Sequence, residues 1–282
     1  MVLLVELDVL ALATLALALP GGVVRVAYGG ATGAELSPMH RGIARLAHWR
    51  LDALVWASGG QRPFLLECSP KSFVIPSAAR EAVPASPSPR DSIILCVGDR
   101  IANMGIERLL WLLRAPLQTH RDWRVVCVAR EEHGKTDWDH LEYLAGLLRA
   151  LRIEGRLILS QTQGQTTEWY QRASIYAIGA SQSGAAEALI DAKAHGLPVL
   201  GYDQACVLSD LVNHQIDGYL IEDEDSAVAA AAARLIEDQE LRERMGEASR
   251  ADAHARFSPE AVRRQWLELI ESRFFRRVGT EG

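Results

Sequence analysis

The residues best suited to chemistry lie between Gly179 and Val199. A turn of small residues, including Ser183, Gly184 and Ala185, follows the apolar run Ile175–Ile178 and opens a helical pattern. Small side chains let the backbone approach a ligand. The unpaired N–H groups and positive dipole end of a helix start favour a phosphate, and a diphosphate above all. Glu187 and Asp191 are four residues apart, so the spacing predicts both carboxylates on one helix face, where a carboxylate accepts hydrogen bonds from ribose hydroxyls. A tight turn before a solvated helix face has the same spacing, and spacing alone leaves both readings open.

Two other patterns imitate sites. Gly179-Ala180-Ser181-Gln182-Ser183 resembles a nucleophile elbow, with Ser181 as the nucleophile of an α/β-hydrolase. That elbow needs glycine where Ser183 stands, then an Asp and a His on later strand ends. Beyond Ser226 the only histidine is His254, inside a helical run. Asp137-Trp138-Asp139 imitates an Asp-x-Asp metal site, against which stands ordinary capping of a helix by acidic residues. The histidines are scattered without an i, i+4 metal pair, and the four cysteines include no CxxC. No metal and no cofactor is expected, and the thiols fit a reducing cytosol.

The elements that must position these residues alternate between strand and helix. Strands are expected at Val2–Val5, Val23–Tyr28, Ala53–Trp56 and Phe73–Ile75, with helices over 9–19 and 38–49. After the proline-rich stretch 84–89 come strands at Ile93–Val97, Arg124–Ala129, Leu157–Leu159, Ile175–Ile178, Val199–Gly201 and Gly218–Ile221. Helices are expected near Ile106–Arg114, Trp138–Leu151, Thr167–Arg172 and Glu187–His195, then over 226–256. A last helix opens with Ser258 as N-cap and Pro259 at its first position. Alternation of this kind predicts an α/β fold of two Rossmann-like parallel-sheet domains, the N-terminal one truncated to about half of a Rossmann-type layer. The expected division is 1–88, 89–260 and a terminal crossover helix over 261–282. In such sheets ligands bind beyond the carboxyl ends of the strands, so Gly98, Arg100, Gln161 and Gly184 should share one edge with Asp191.

The chain has 282 residues and a formal charge of −6, and only Lys71, Lys135 and Lys193 are lysines. An acidic chain without a basic stripe argues against a nucleic-acid partner. The apolar run Val9–Leu19 is about 11 residues, too short to span a bilayer, and acidic residues precede it. A cytoplasmic protein is expected. Arg273-Phe274-Phe275-Arg276-Arg277 with Trp266 offers either peripheral contact with an anionic membrane face or packing on the first domain.

The segment Asp191-Ala192-Lys193-Ala194-His195-Gly196-Leu197-Pro198-Val199 resembles the donor domain of retaining family 4 glycosyltransferases, the glycosyl transferases group 1 type with GT-B architecture. Gly201-Tyr202-Asp203, Asn213 to Leu220, Asp238 to Gly246 and Phe257-Ser258-Pro259-Glu260 extend the likeness over about 92–269. The resemblance implies transfer of a sugar from a nucleotide sugar, often a UDP-sugar, to a glycan, lipid-linked or small-molecule acceptor. Taken with the shared strand edge, it places donor binding at Ser183, Gly184, Ala185, Glu187, Asp191, Gly98, Arg100 and Gln161, with no metal expected.

The departures are specific. The family's first motif glutamate falls on Ser183 and its second on Asp191, one methylene shorter. Its diphosphate-clamping Arg and Lys fall on Asp99 and Met104, with Arg100 one residue late, and a usual histidine is Tyr28. The first domain corresponds to the later part of the family's acceptor domain, without a glycine-rich first loop. These losses favour a second reading: a catalytically impaired, glycosyltransferase-like binding subunit whose protein partner completes the acceptor side.

Overall fold

A computed structural model describes residues 2–6, 24–29, 52–56, 72–80, 90–98, 100–129, 138–160, 166–179, 185–202, 210–221 and 225–278. They form two units, 1–77 with 258–282, and 78–257. The helices expected over 9–19 and 38–49, and the proline stretch, lie outside the described residues.

In the first unit the short apolar runs pair as a four-stranded parallel sheet in chain order: β1 (Val2–Glu6), β2 (Val24–Gly29), β3 (Ala53–Trp56) and β4 (Ser72–Val74). A long helix closes this unit's core. Val262 and Leu269 from Pro259–Val278 pack with Ala53, Val55 and Ile75, and Trp266 and Phe73 lie against them. The Arg273 guanidinium sits 4.6 Å from the centre of the Phe73 ring. Trp266 and Arg273 are thus engaged in packing, while the side chains of 274–277 lie outside the described ones. Among the described residues no helix is long and apolar enough to cross a membrane.

The second unit is a six-stranded, all-parallel sheet built on continuous apolar runs, as strands covered on both faces require. Its strands are β5 (Ile93–Gly98), β6 (Arg124–Ala129), β7 (Leu157–Ser160), β8 (Ile175–Ala177), β9 (Val199–Tyr202) and β10 (Gly218–Ile221). Their order is β10-β9-β8-β5-β6-β7, so the chain builds outward from β5 in one direction and then returns to β5's other side. That is the doubly wound order, with a topological switch point between β5 and β8.

The helices are α1 (Ile106–Thr119), α2 (Trp138–Ala150), α3 (Thr166–Arg172), α4 (Ala185–Ala194), α5 (Asp225–Glu237) and α6 (Gln239–Phe257). The final helix, Pro259–Val278, is α7. Residues of α1, α2 and α5 pack with Ile94, Cys96, Val125 and Cys127 on one face. Residues of α3, α4 and the end of α6 pack with Ile93, Leu95, Val97, Val126 and Val128 on the other. The period-2 alternation along β5 and β6 is thereby fully used.

Two helical expectations shift. The helix expected near Ile106–Arg114 runs on to Thr119 with Pro116 inside it. Leu112, Leu113, Pro116 and Leu117 are all buried, and this apolar stripe outweighs the loss of one backbone bond near the helix end. The helical run 226–256 is two helices, because the Asp238 carboxylate accepts the Leu241 amide at 2.8 Å and restarts the chain. Ser258 caps α7 as expected, its hydroxyl accepting the Ala261 amide at 3.3 Å.

The unit border falls after Ser77, ahead of the proline stretch, and after Phe257. The Ala79 amide donates to the Phe257 carbonyl at 2.7 Å, so both ends of the second unit are fastened to each other.

Candidate functional site

The switch point places two loops side by side. The first follows β5: buried Gly98, then Arg100, exposed on extended backbone, then a single 3₁₀ turn at Ile101–Asn103. Gly105 precedes α1 at φ 64, a left-handed conformation that glycine adopts without strain. The second loop follows β8. A Cβ on Gly179 would stand 2.5 Å from the Met104 carbonyl oxygen and 2.7 Å from that of Gly105. Only glycine lets the two loops touch.

Of the residues singled out from sequence, Gly98 ends β5, Arg100 follows it, and Ala185 starts the helix after β8. Ser183, Gly184 and Gln161 lie outside the described residues, as do Ser181, Asp99 and Asp137. α4 begins at Ala185, and the segment 180–184 that joins it to Gly179 lies outside the described residues. Arg100 is the only basic side chain among the described residues of these loops. Met104, where the family resemblance places a lysine, is fully buried in the core on the α1 face.

α4 is unusually apolar in its surroundings. Glu187 is exposed, whereas every other residue from Ala185 to Ala194 is buried. The expected shared face of Glu187 and Asp191 therefore splits into two environments. Asp191 is 4% exposed, and its Oδ1 accepts the Arg80 amide at 3.0 Å. Spacing along α4 gave no sign of this, because the covering segment is far away in the sequence.

The far end of α4 is fixed by charge. Lys193 is fully buried, and its ammonium donates to Asp217 at 3.0 Å, to Asp252 of α6 and to the Leu211 carbonyl. Asp217 also accepts the backbone and side-chain N–H groups of Asn213. Arg90 donates to the carbonyls of Tyr170 and Ala173 at the end of α3 and to that of His195 after α4. These are the carbonyls a helix end leaves unpaired, and one guanidinium serves both helices. Sequence reading passed over Arg80, Arg90 and the role of Lys193. The one available signal was a lysine inside the run Ala192 to Ala194, which is otherwise apolar.

His195 stacks on Tyr170 with ring centres 5.1 Å apart, and its Nδ1 lies 2.7 Å from the Asp191 carbonyl. Burial pushes this imidazole below its ordinary value of 6.5; the Asp191 carbonyl and charge oppose that, and the cations Arg90 and Arg250 add to it. A histidine with a lowered folded pKa binds fewer protons folded than unfolded. Its contribution is intact above about pH 6.5 and is lost as pH falls through the window below. The unfolding midpoint should therefore drop between pH 7.5 and 5.5 more steeply in the wild type than in His195→Gln. Equal slopes would show that another group governs acid sensitivity.

Comparison with known proteins fits this architecture. The pattern of the family described as glycosyl transferases group 1 matches residues 80–252. An exopolysaccharide phosphotransferase of Streptomyces coelicolor is 27% identical over 235 residues, 80% of this chain and 24% of that protein. An uncharacterised glycosyltransferase of Haemophilus influenzae is 27% identical over 63% of this chain and 48% of its own length. The chain thus spans about a quarter to a half of these curated relatives. Among solved structures, Anabaena HepE in complex with UDP superposes with a TM-score of 0.77 at 16% identity, over 95% of this chain and 78% of HepE. The fold is that of GT-B glycosyltransferases, and with the family pattern matching more than half of its length, the chain belongs to the glycosyl transferases group 1 family.

Proposed function

We propose that the second unit binds the nucleoside diphosphate of a nucleotide sugar, a UDP-sugar first among them, and that the protein acts in sugar transfer to a glycan, lipid-linked or small-molecule acceptor. The observation that carries this is the contact of the loops after β5 and β8 at the switch point, with α4 the next element after β8. In this reading Ser183, Gly184 and Ala185 receive the diphosphate on backbone N–H groups. Gly98 leaves room beside them and Arg100 supplies positive charge. Glu187, exposed on the first turn of α4, takes ribose hydroxyls, and Gln161, which follows the edge strand β7 in sequence, is the outlying member of the set. The name of the Streptomyces relative supports a glycan acceptor, and HepE's UDP supports the donor class.

Calorimetry with UDP, GDP and ADP in the presence of a chelator tests this. Weak UDP binding without a divalent metal is expected, with loss of heat in Arg100→Ala. No heat from any of the nucleotides would remove the donor site. Heat that appears only after a divalent metal is added would remove the metal-free mode.

The second reading, a binding subunit that assists a partner enzyme, draws support from Met104. The position the resemblance gives to a diphosphate-binding lysine holds a side chain with no solvent exposure.

A further inference from the structure

Asp191 is sealed in a place where a ligand-binding carboxylate would be open. Its side chain is 5% exposed, and its partners include the Arg80 amide at 3.0 Å on one oxygen and the Arg80 Nε at 3.6 Å from the other. The Arg80 side chain itself is 66% exposed, so solvent screens the ion pair and the amide bond dominates. Arg80 lies just inside the point where the chain enters the second unit, one residue after the Ala79 amide that is tied to Phe257. The segment's other end is fastened as well, by the Arg90 guanidinium on the His195 carbonyl at 2.6 Å. The stretch leading into β5 is thus clipped to α4 at both its described ends, at Asp191 and just beyond the last turn.

We propose that Asp191 is a positioning residue: its buried carboxylate holds the Arg80 amide, and so fixes α4 against the point where the chain enters the second unit. The chemistry favours it. A buried carboxylate without donors is costly, and a main-chain N–H is a donor that no side-chain substitution short of proline removes. The shorter side chain also has a reason. The aspartate carboxylate already reaches the Arg80 amide at 3.0 Å, where the family resemblance places the longer glutamate. The bonds themselves carry the clamp, while its effect on nucleotide affinity rests on the donor site proposed above.

Hydrogen exchange at the residue 80 amide, read by NMR on the full chain, tests the clamp. Exchange should be slow in the wild type, and roughly 10- to 100-fold faster in Asp191→Ala, the range for a lost bond to a charged group. Asp191→Asn keeps an acceptor oxygen and should restore part of the protection. Arg80→Ala keeps the amide and should keep its protection. UDP affinity should fall by similar factors in Asp191→Ala and Arg80→Pro, and the double variant should add nothing further. Fast exchange at residue 80 in the wild type would overturn the clamp. So would loss of UDP affinity in Asp191→Ala with protection at residue 80 unchanged, which would make Asp191 a ligand group. If the wild type binds no nucleotide, the donor reading fails and the exchange measurements still decide the clamp.

Discussion

Lys193→Met should lower the stability of the second unit by about 3–5 kcal/mol, the usual cost of breaking a buried ion pair from one side. The methionine fills the volume, but the Asp217 carboxylate, 1% exposed, would face it with only Asn213 left as donor. Against a typical domain stability of about 5–15 kcal/mol this is a large share. Asp252→Asn should cost much less, because Asp252 is 18% exposed and leaves the Lys193–Asp217 pair intact. Chemical denaturation followed by circular dichroism measures both. Equal midpoints for wild type and Lys193→Met would mean that water reaches the ammonium. The expected order places the anchor of α4 in this one cation, which joins α4, α6 and the turn before β10.

Sugar transfer by this chain should be slow, by on the order of 10²-fold for each missing cation at the departing diphosphate. Retaining transfer releases a diphosphate whose growing charge must be met by fixed positive groups. Here Asp99 and Met104 occupy the two positions where the resemblance places cations, and Arg100 is the described cation beside them. Arg100→Ala should abolish remaining nucleotide affinity, and Asp99→Arg should tighten it. Met104→Lys should not help as a single change. It would put an ammonium among Ile106, Leu110 and Leu113 in the core, unless the side chain leaves that core for the loop surface. Radiolabelled UDP-sugar assays compare the rates. Transfer at an ordinary enzyme rate that survives Arg100→Ala would show that the diphosphate is held elsewhere.

The sheet of the second unit was legible because its physics is local. Ile93 to Val97 and Val125 to Ala129 are unbroken apolar runs, and strands buried on both faces need nothing more. Turn and helix starts were equally local: Ser258 capped α7 as its type and place implied. What escaped depends on partners distant along the chain. Asp191 looks like a surface carboxylate until Arg80, 111 residues earlier, covers it. Lys193 looks like a solvated lysine until Asp217 and Asp252 converge on it. Met104 is two-sided: its position in the motif speaks of ligand, but its side chain belongs to the core. Periodicity reports which face a residue occupies, not which remote segment lies over that face.

The bond from the Ala79 amide to the Phe257 carbonyl makes the second unit a loop closed at its own base. A block whose ends meet is easily carried as a cassette. Residues 78–257 could be spliced into a surface turn of an unrelated host without stretching the host chain across a gap. Polypeptide attached before Ala78 and after Phe257 would leave from neighbouring points, so the block imposes no spacing on what flanks it.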